Sequence, residues 1–189
     1  VHEIRKMPYP KSCKALILAP TRELAAQIED AIRTYGKYLK SSSAVIVGGA
    51  KAGPQIRAMS RGVDILVATP GRLEDLMSTG AVMLDQTNTV ILDEADQMLD
   101  LGFMPAIRRI MQALPKKRQT ALLSATMPKQ IRGLAEDFLY KPVEVSVAPQ
   151  SKPIERITQS VIHVEKSNKR QILVDVMRRE DIDRAVVFS

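Results

Sequence analysis

The 189-residue chain has no tryptophan, four tyrosines, three phenylalanines, one cysteine and two histidines. With so few aromatic rings, base stacking is not expected to dominate any grip on a nucleic acid. The lone Cys13 can form neither an internal disulfide nor a metal cluster, and reads as a small core filler. His2 and His163 stand far apart with no Cys or His at ligand spacing, so neither is assigned a metal. No apolar run is long enough to cross a bilayer, and residues 1–13 lack the apolar core of a secretory signal. The expectation is a cytoplasmic setting without a membrane partner. Internal repeats and low-complexity tracts are missing too.

What is present is ordinary globular composition, 45% hydrophobic and 26% charged, with a net charge of +7. The length leaves room for one domain with a full core and the start of a second. The positive charge points to a polyanionic partner, held by its phosphates rather than read by its bases.

Short β-rich runs alternate with amphipathic stretches, the pattern of a parallel α/β sheet with helices on both faces. Strands are expected at 14–18, 44–47, 64–68, 89–92, 119–123 and 143–147, all but the last followed by helical patterns. The 119–123 strand reads as buried. Helices are expected at 22–39, 54–60, 72–78, 105–114 and 128–139. The first carries the stripe Leu24, Ile28, Ala31, Ile32, Tyr35 and Leu39, and Pro128 suits the first turn of the last. Met98, Met104 and Met111 fall on apolar faces and read as core. Residues 148–156, with two prolines and mixed charge, fit a linker between a first domain at 1–147 and a second that begins at 157–189. In that second part, 157–164, 169–179 and 185–188 read as strand, helix and strand.

The run Val90-Ile91-Leu92-Asp93-Glu94-Ala95-Asp96 is the densest signal. An apolar triplet reads as a strand buried on both faces, and three carboxylates at its C-terminal end would repel one another without a cation. In P-loop NTPases the first acid after such a strand helps hold Mg²⁺, and a following Glu can polarise the attacking water. A strand running into an acidic helix start accounts for the same residues, so by itself the run leaves both readings open.

Other expected strands end in comparable turns: Ala19-Pro20-Thr21-Arg22, Gly48-Gly49, Thr69-Pro70-Gly71-Arg72 and Ser124-Ala125-Thr126. In a parallel sheet these ends lie along one edge, where open α/β folds bind ligands. At about 4.8 Å per strand the edge spans roughly 19 Å, enough for a nucleotide and a few backbone phosphates. Each turn also has a plain role, since Thr21 and Thr69 are good N-caps and Pro70 a good first-turn residue. In this order and on one edge, the ligand reading prevails.

Taken together, Pro20-Thr21-Arg22-Glu23-Leu24, Gly48-Gly49, Thr69-Pro70-Gly71-Arg72, Asp93-Glu94-Ala95-Asp96, Ser124-Ala125-Thr126 and Val186-Val187-Phe188-Ser189 resemble the motifs of DEAD-box ATP-dependent RNA helicases. The resemblance covers essentially the whole chain. Residues 62–68 and 115–120 look most like the bacterial RhlE-like branch. The resemblance implies RecA-like domains, ATP and Mg²⁺ as cofactors, and RNA as partner, mainly through its phosphate backbone. It implies that Asp93 helps hold Mg²⁺ through water, that Glu94 activates the hydrolytic water, and that Asp96 connects to Ser124 and Thr126. Pro20, Thr21, Arg22, Gly48, Gly49, Thr69, Gly71 and Arg72 would lie along the RNA backbone. Ribosome-assembly or RNA-decay proteins are the kind of protein partner it suggests. Gln97 and Leu101 depart mildly from the family pattern without touching the chemistry.

One family element has no counterpart: the phosphate-binding loop G-x-x-x-x-G-K-[ST] is absent. The run Gly48-Gly49-Ala50-Lys51-Ala52-Gly53 fails because Pro54 follows Gly53. By the resemblance that loop would precede residue 1, so an internal fragment is expected that alone neither binds ATP usefully nor hydrolyses it, with a gap or exposed edge in its sheet and poor solubility. Losing a few phosphate contacts at about 1.5–3 kcal/mol each would remove many orders of magnitude of affinity. Two rival readings remain, a DNA-directed helicase on the same fold and a non-catalytic RNA-binding module. Asp96, where many DNA-directed relatives carry His, argues against the first, and the retained Asp93, Glu94 and Ser-Ala-Thr run argue against the second.

Overall fold

The computed structural model describes residues 9–146, 160–179 and 184–188. The chain divides into two compact units, Val1–Val143 and Glu144–Ser189. The first is built on β1 (Cys13–Leu18), β2 (Ser43–Ile46), β3 (Val63–Ala68), β4 (Thr89–Leu92) and β5 (Gln119–Leu122). All neighbours pair in parallel, in the order β2-β3-β1-β4-β5. Each strand lies within one residue of the run expected from the sequence, because runs of Val, Ile and Leu bounded by Gly, Pro, Ser or acids leave little choice of register.

Parallel neighbours need long crossovers, and helices supply them. They are α1 (Arg22–Tyr35), α2 (Ala52–Met59), α3 (Pro70–Ser78), α4 (Ala95–Asp100), α5 (Met104–Ala113) and α6 (Lys129–Phe138). The two faces are covered unequally. On one face, Leu24, Ala25, Ile28 and Ile32 of α1 pack on Ile17, Val45, Ile65 and Val67. On the other, the larger core joins Leu16, Leu18, Leu66 and Leu92 to Met59, Leu73, Met98, Ile107 and Ile131 of the remaining helices. Cys13, Met98 and Met111 are buried and Met104 packs beside them, as expected of fillers.

Several expectations are corrected. Helix α1 stops at Tyr35, where Gly36 caps it, so Tyr35 and Leu39 do not belong to its buried stripe. The stripe includes Glu29 instead, buried and bonded to Arg33 and Ser43 at 2.9 Å each. Strand β5 is not buried. It pairs on one side only among the described residues, and Gln119 and Ala121, in register with Thr89 and Ile91, lie on the α1 face beyond the reach of that helix. Helix α4 begins at Ala95, between the acids, as the helix-start reading of that run allows. Pro128 sits at the N-cap of α6, one position before its first turn. Residues 143–146 are exposed and irregular rather than a strand, and residue 147 lies outside the described residues.

In the second unit a short 3₁₀ turn (Lys166–Asn168) leads into α7 (Lys169–Arg179), matching the expected helix. The expected strands are not formed at 160–164 or 185–188. Val161, Ile162, Val186, Val187 and Phe188 are exposed, since a β-prone run makes a strand only where a ladder receives it. The expected linker at 148–156 and residues 157–159 lie outside the described residues. No helix among the described residues is long and apolar enough to cross a membrane.

One polar contact ties the start of the sheet together. Asp64, buried in β3, accepts from Lys14 at 2.7 Å and from the backbone and hydroxyl of Ser42 at 2.9 Å each. Burial alone would push its carboxyl up, but the bonds from Lys14 and Ser42 outweigh it and hold it below the usual carboxylate range. A depressed folded value stabilises the native state at neutral pH, and that contribution is lost as pH falls below about 4. Asp64→Ala is expected to cost about 2 kcal/mol in urea unfolding at pH 7, and less at pH 3, where the unfolded chain's carboxyl is mostly protonated and the advantage of the ionised native form has shrunk.

Candidate functional site

The register sets Ile46, Ala68, Leu18, Leu92 and Leu122 in one row across the sheet. Every strand leaves its ladder just past this row, so all the expected loops do share an edge. Strand order then sorts them in a way that sequence order does not. Gly48-Gly49, Thr69-Pro70-Gly71-Arg72 and Pro20-Thr21-Arg22 follow the adjacent strands β2, β3 and β1, while Asp93-Glu94 and Ser124 follow β4 and β5.

On the β4–β5 half, the Asp93 amide donates to Leu18 O at 2.9 Å, continuing the ladder into the acids. The Asp93 carboxylate then accepts the Glu94 amide at 3.1 Å. Glu94 itself is left-handed, with φ 52° and ψ 54°, a conformation that costs a non-glycine residue on the order of 1–3 kcal/mol. That reversal starts α4 at Ala95, whose amide is bonded to Leu123 O at 3.0 Å.

Asp96, in the first turn of α4, reaches sideways to the loop after β5. Its amide donates to Ser124 Oγ at 3.1 Å, and its carboxylate accepts both the amide and the hydroxyl of Thr126 at 2.8 Å. The second carboxylate oxygen accepts the Gln97 amide at 3.1 Å. Slight burial would raise its affinity for a proton, but the Thr126, Ser124 and Gln97 bonds prevail and keep it below the usual carboxylate range. The three acids therefore do not form one repelling cluster. The helix that begins between them turns Asp96 away, leaving Asp93 and Glu94, both half-buried, as the free pair.

Among the described residues no group of three or more His, Cys, Asp or Glu is gathered for a metal. Mg²⁺ does not ask for one, because it keeps several waters and takes one or two carboxylates together with phosphate oxygens. Asp93, with one carboxylate oxygen uncommitted to the fold, fits that partial role.

On the β2–β3–β1 half the loops are stitched to one another. Thr69 Oγ1 accepts the Gly48 amide at 3.4 Å, and Arg72 donates to Ala50 O at 2.9 Å. The Arg22 guanidinium lies over Gly49, where a Cβ would come within 2.7 Å of its flexible end, and the stricter demand for glycine there is the φ of +72°. At Gly48 a Cβ would meet nothing within 4 Å, and at Gly71 only Phe103 at 3.7 Å. Packing does not require glycine at these two positions, whereas close approach of a ligand to the backbone would.

The capping roles divide. Thr21 caps α1 by accepting the Leu24 amide at 3.2 Å, and Pro70 opens α3, but Thr69 makes no cap bond. Pro20 and Thr69 are buried and shape the loops, while Arg22 and Gly49 are exposed and Thr21, Gly48, Gly71 and Arg72 half-buried. No motif or periodicity in the chain points to Gln55. Buried in α2, it accepts the Val47 amide at 3.2 Å and donates to Val47 O at 3.1 Å, so it props the strand end that delivers Gly48-Gly49.

Thr126→Val removes one of the bonds that favour ionised Asp96 and keeps the amide bond. The Asp96 carboxyl should then titrate at higher pH than in wild type, as followed by carboxyl ¹³C chemical shifts. An unchanged midpoint would show that the hydroxyl contributes nothing to it.

Residues 2–134 match the family model described as DEAD/DEAH box helicase. The chain is 44% identical over 175 residues to DEAD-box ATP-dependent RNA helicase 40 of Oryza sativa subsp. japonica, covering 92% of this chain and 22% of the relative. It is 42% identical over 180 residues to ATP-dependent RNA helicase dbp2 of Neurospora crassa, covering 92% and 32%. It thus spans about a fifth to a third of the length of these curated relatives. The crystal structure of a DEAD box protein from the hyperthermophile Methanococcus jannaschii superposes with a TM-score of 0.70 at 33% identity, over 93% of this chain and 47% of that one. With parallel strands in RecA-like arrangement and the motif-bearing loops together on one edge, the chain belongs to the DEAD/DEAH box helicase family.

Proposed function

We propose that the chain forms part of the catalytic core of an ATP-dependent RNA helicase, an RNA-stimulated ATPase that unwinds short duplexes. The observation that carries this reading is the Asp96 bridge to Ser124 and Thr126, because it fastens the acidic loop to its neighbour while leaving Asp93 and Glu94 free. Neither scaffolding nor simple RNA binding calls for that arrangement. The relatives' names supply RNA, and the stitched loops with Arg22 and Arg72 offer backbone amides and cations to phosphates.

In this reading ATP and Mg²⁺ supply the phosphoryl-transfer chemistry when bound. Asp93 would help hold the ion through water, and Glu94 would orient the hydrolytic water and take its proton. The phosphate-binding loop that such a site needs has no match in these residues, so the chain acts as a partial core. The domain division at 147 and 157 is retained as part of the proposal. The RhlE-like branch is not, since the relatives described are from a plant and a fungus.

In a full-length protein containing this chain, Glu94→Gln should preserve nucleotide binding and lower steady-state ATP hydrolysis by at least about a hundredfold, within the usual range for general-base loss. Turnover equal to wild type would remove Glu94 from its role. Arg22→Ala should weaken binding to RNAs of different sequence alike and flatten the salt dependence by roughly one phosphate contact, read from titrations at several salt concentrations. A loss confined to one sequence would mean base readout instead.

A further inference from the structure

The end of α1 lies at the far side of the sheet from the loop edge. The helix starts just past the C-terminal end of β1 and hands the chain to the N-terminal end of the parallel strand β2, so its 14 residues run about 21 Å back across the sheet. Gly36 stops it there. Its amide donates to Ile32 O at 2.8 Å, and a Cβ at that position would come 2.6 Å from the same oxygen.

The last residue of the helix and the turn after it hold two of the chain's four tyrosines in the open. Tyr35 is 85% exposed, Tyr38 89% and Leu39 54%. From residue 33 to residue 43 the sequence carries Arg33, Lys37 and Lys40 and no acid. The Arg33 charge is met by buried Glu29 at 2.9 Å, neither lysine has an ion pair, and Lys37 Nζ sits over one face of the Tyr38 ring, 5.7 Å from its centre. Two exposed rings flanked by cations on a positively charged chain make a stacking platform beside a phosphate-binding charge. That is the chemistry of a single-stranded nucleic acid.

We propose that the Tyr35–Tyr38 turn is a second contact for single-stranded RNA, stacking bases on the two rings while Lys37 and Lys40 meet the adjoining phosphates. The inference rests on the RNA reading of the loop edge and extends it. An RNA reaching from Arg22 to this turn passes the exposed Glu23 and Asp30 of α1, so the strand between the two contacts is held at its ends only. Tyr140 beside Lys141 is a single exposed ring, whereas among the described residues this turn is where two exposed rings stand three positions apart. The helix length corresponds to about six stacked base steps, so only a longer strand engages both places.

The test measures anisotropy of labelled oligouridylates of about 4 and about 20 nucleotides with wild type, Tyr35→Ala/Tyr38→Ala, Tyr35→Phe/Tyr38→Phe and Arg72→Ala. The alanine pair should bind the long RNA at least about fivefold more weakly and leave the short one, seated at the loop edge, unchanged. The phenylalanine pair should match wild type on both, and Arg72→Ala should weaken both. Long-RNA affinity untouched by the alanine pair, an equal loss on both lengths, or a phenylalanine pair as weak as alanine would each overturn the second contact. Binding of neither length by wild type would overturn the RNA reading itself, and this inference with it. Tyr38→Ala alone, outside the helix, carries the same comparison should the double variant lose its circular dichroism.

Discussion

The parallel register of β1 with both of its neighbours is the constraint on which the site depends. Leu18 pairs with Ala68 on one side and Leu92 on the other, and those partners pair outward with Ile46 and Leu122. A slip of one residue in any ladder would turn its side chains to the opposite face and shift its loop by about 3.3 Å along the edge. The burial of Leu16, Leu18, Leu66 and Leu92 opposes such a slip, so the hydrophobic core also fixes where the charged loops stand.

Two local devices convert that alignment into a site. The left-handed Glu94 ends the strand sharply enough for α4 to begin at once, and the short helix then carries Asp96 across to Ser124 and Thr126. The strain of one residue is offset by four hydrogen bonds at the next acid, three of them reaching the loop after β5. On the other half, Gln55 beneath the Gly48-Gly49 loop and Thr69 beside it hold backbone that would otherwise be free to move.

The strands, the edge loops and the family were legible because they depend on local pattern: apolar runs, punctuating glycines and prolines, and ordered motifs. What was misread depended on neighbours. The periodicity of residues 22–39 continues through Tyr35 and Leu39, and nothing in it announces that Gly36 closes the helix against Ile32 O. The run 119–123 ends in the apolar Ala121-Leu122-Leu123, yet burial depends on what covers a strand, and α1 covers only the β1–β3–β2 side. Residues 160–164 and 185–188 have β-prone composition without a ladder to join.

By itself the sequence determined the α/β class, the places where strands end and which residue types stand there, since these follow from hydrophobic periodicity and turn chemistry along the chain. Only the tertiary structure decided that β3 and β4 flank β1, that the loops divide into a stitched cationic half and an acidic half, and that Asp96 leaves its neighbouring acids for Thr126. Those outcomes rest on pairings between segments tens of residues apart. Contacts of that range are selected by packing and hydrogen-bond geometry in three dimensions, which no local pattern encodes.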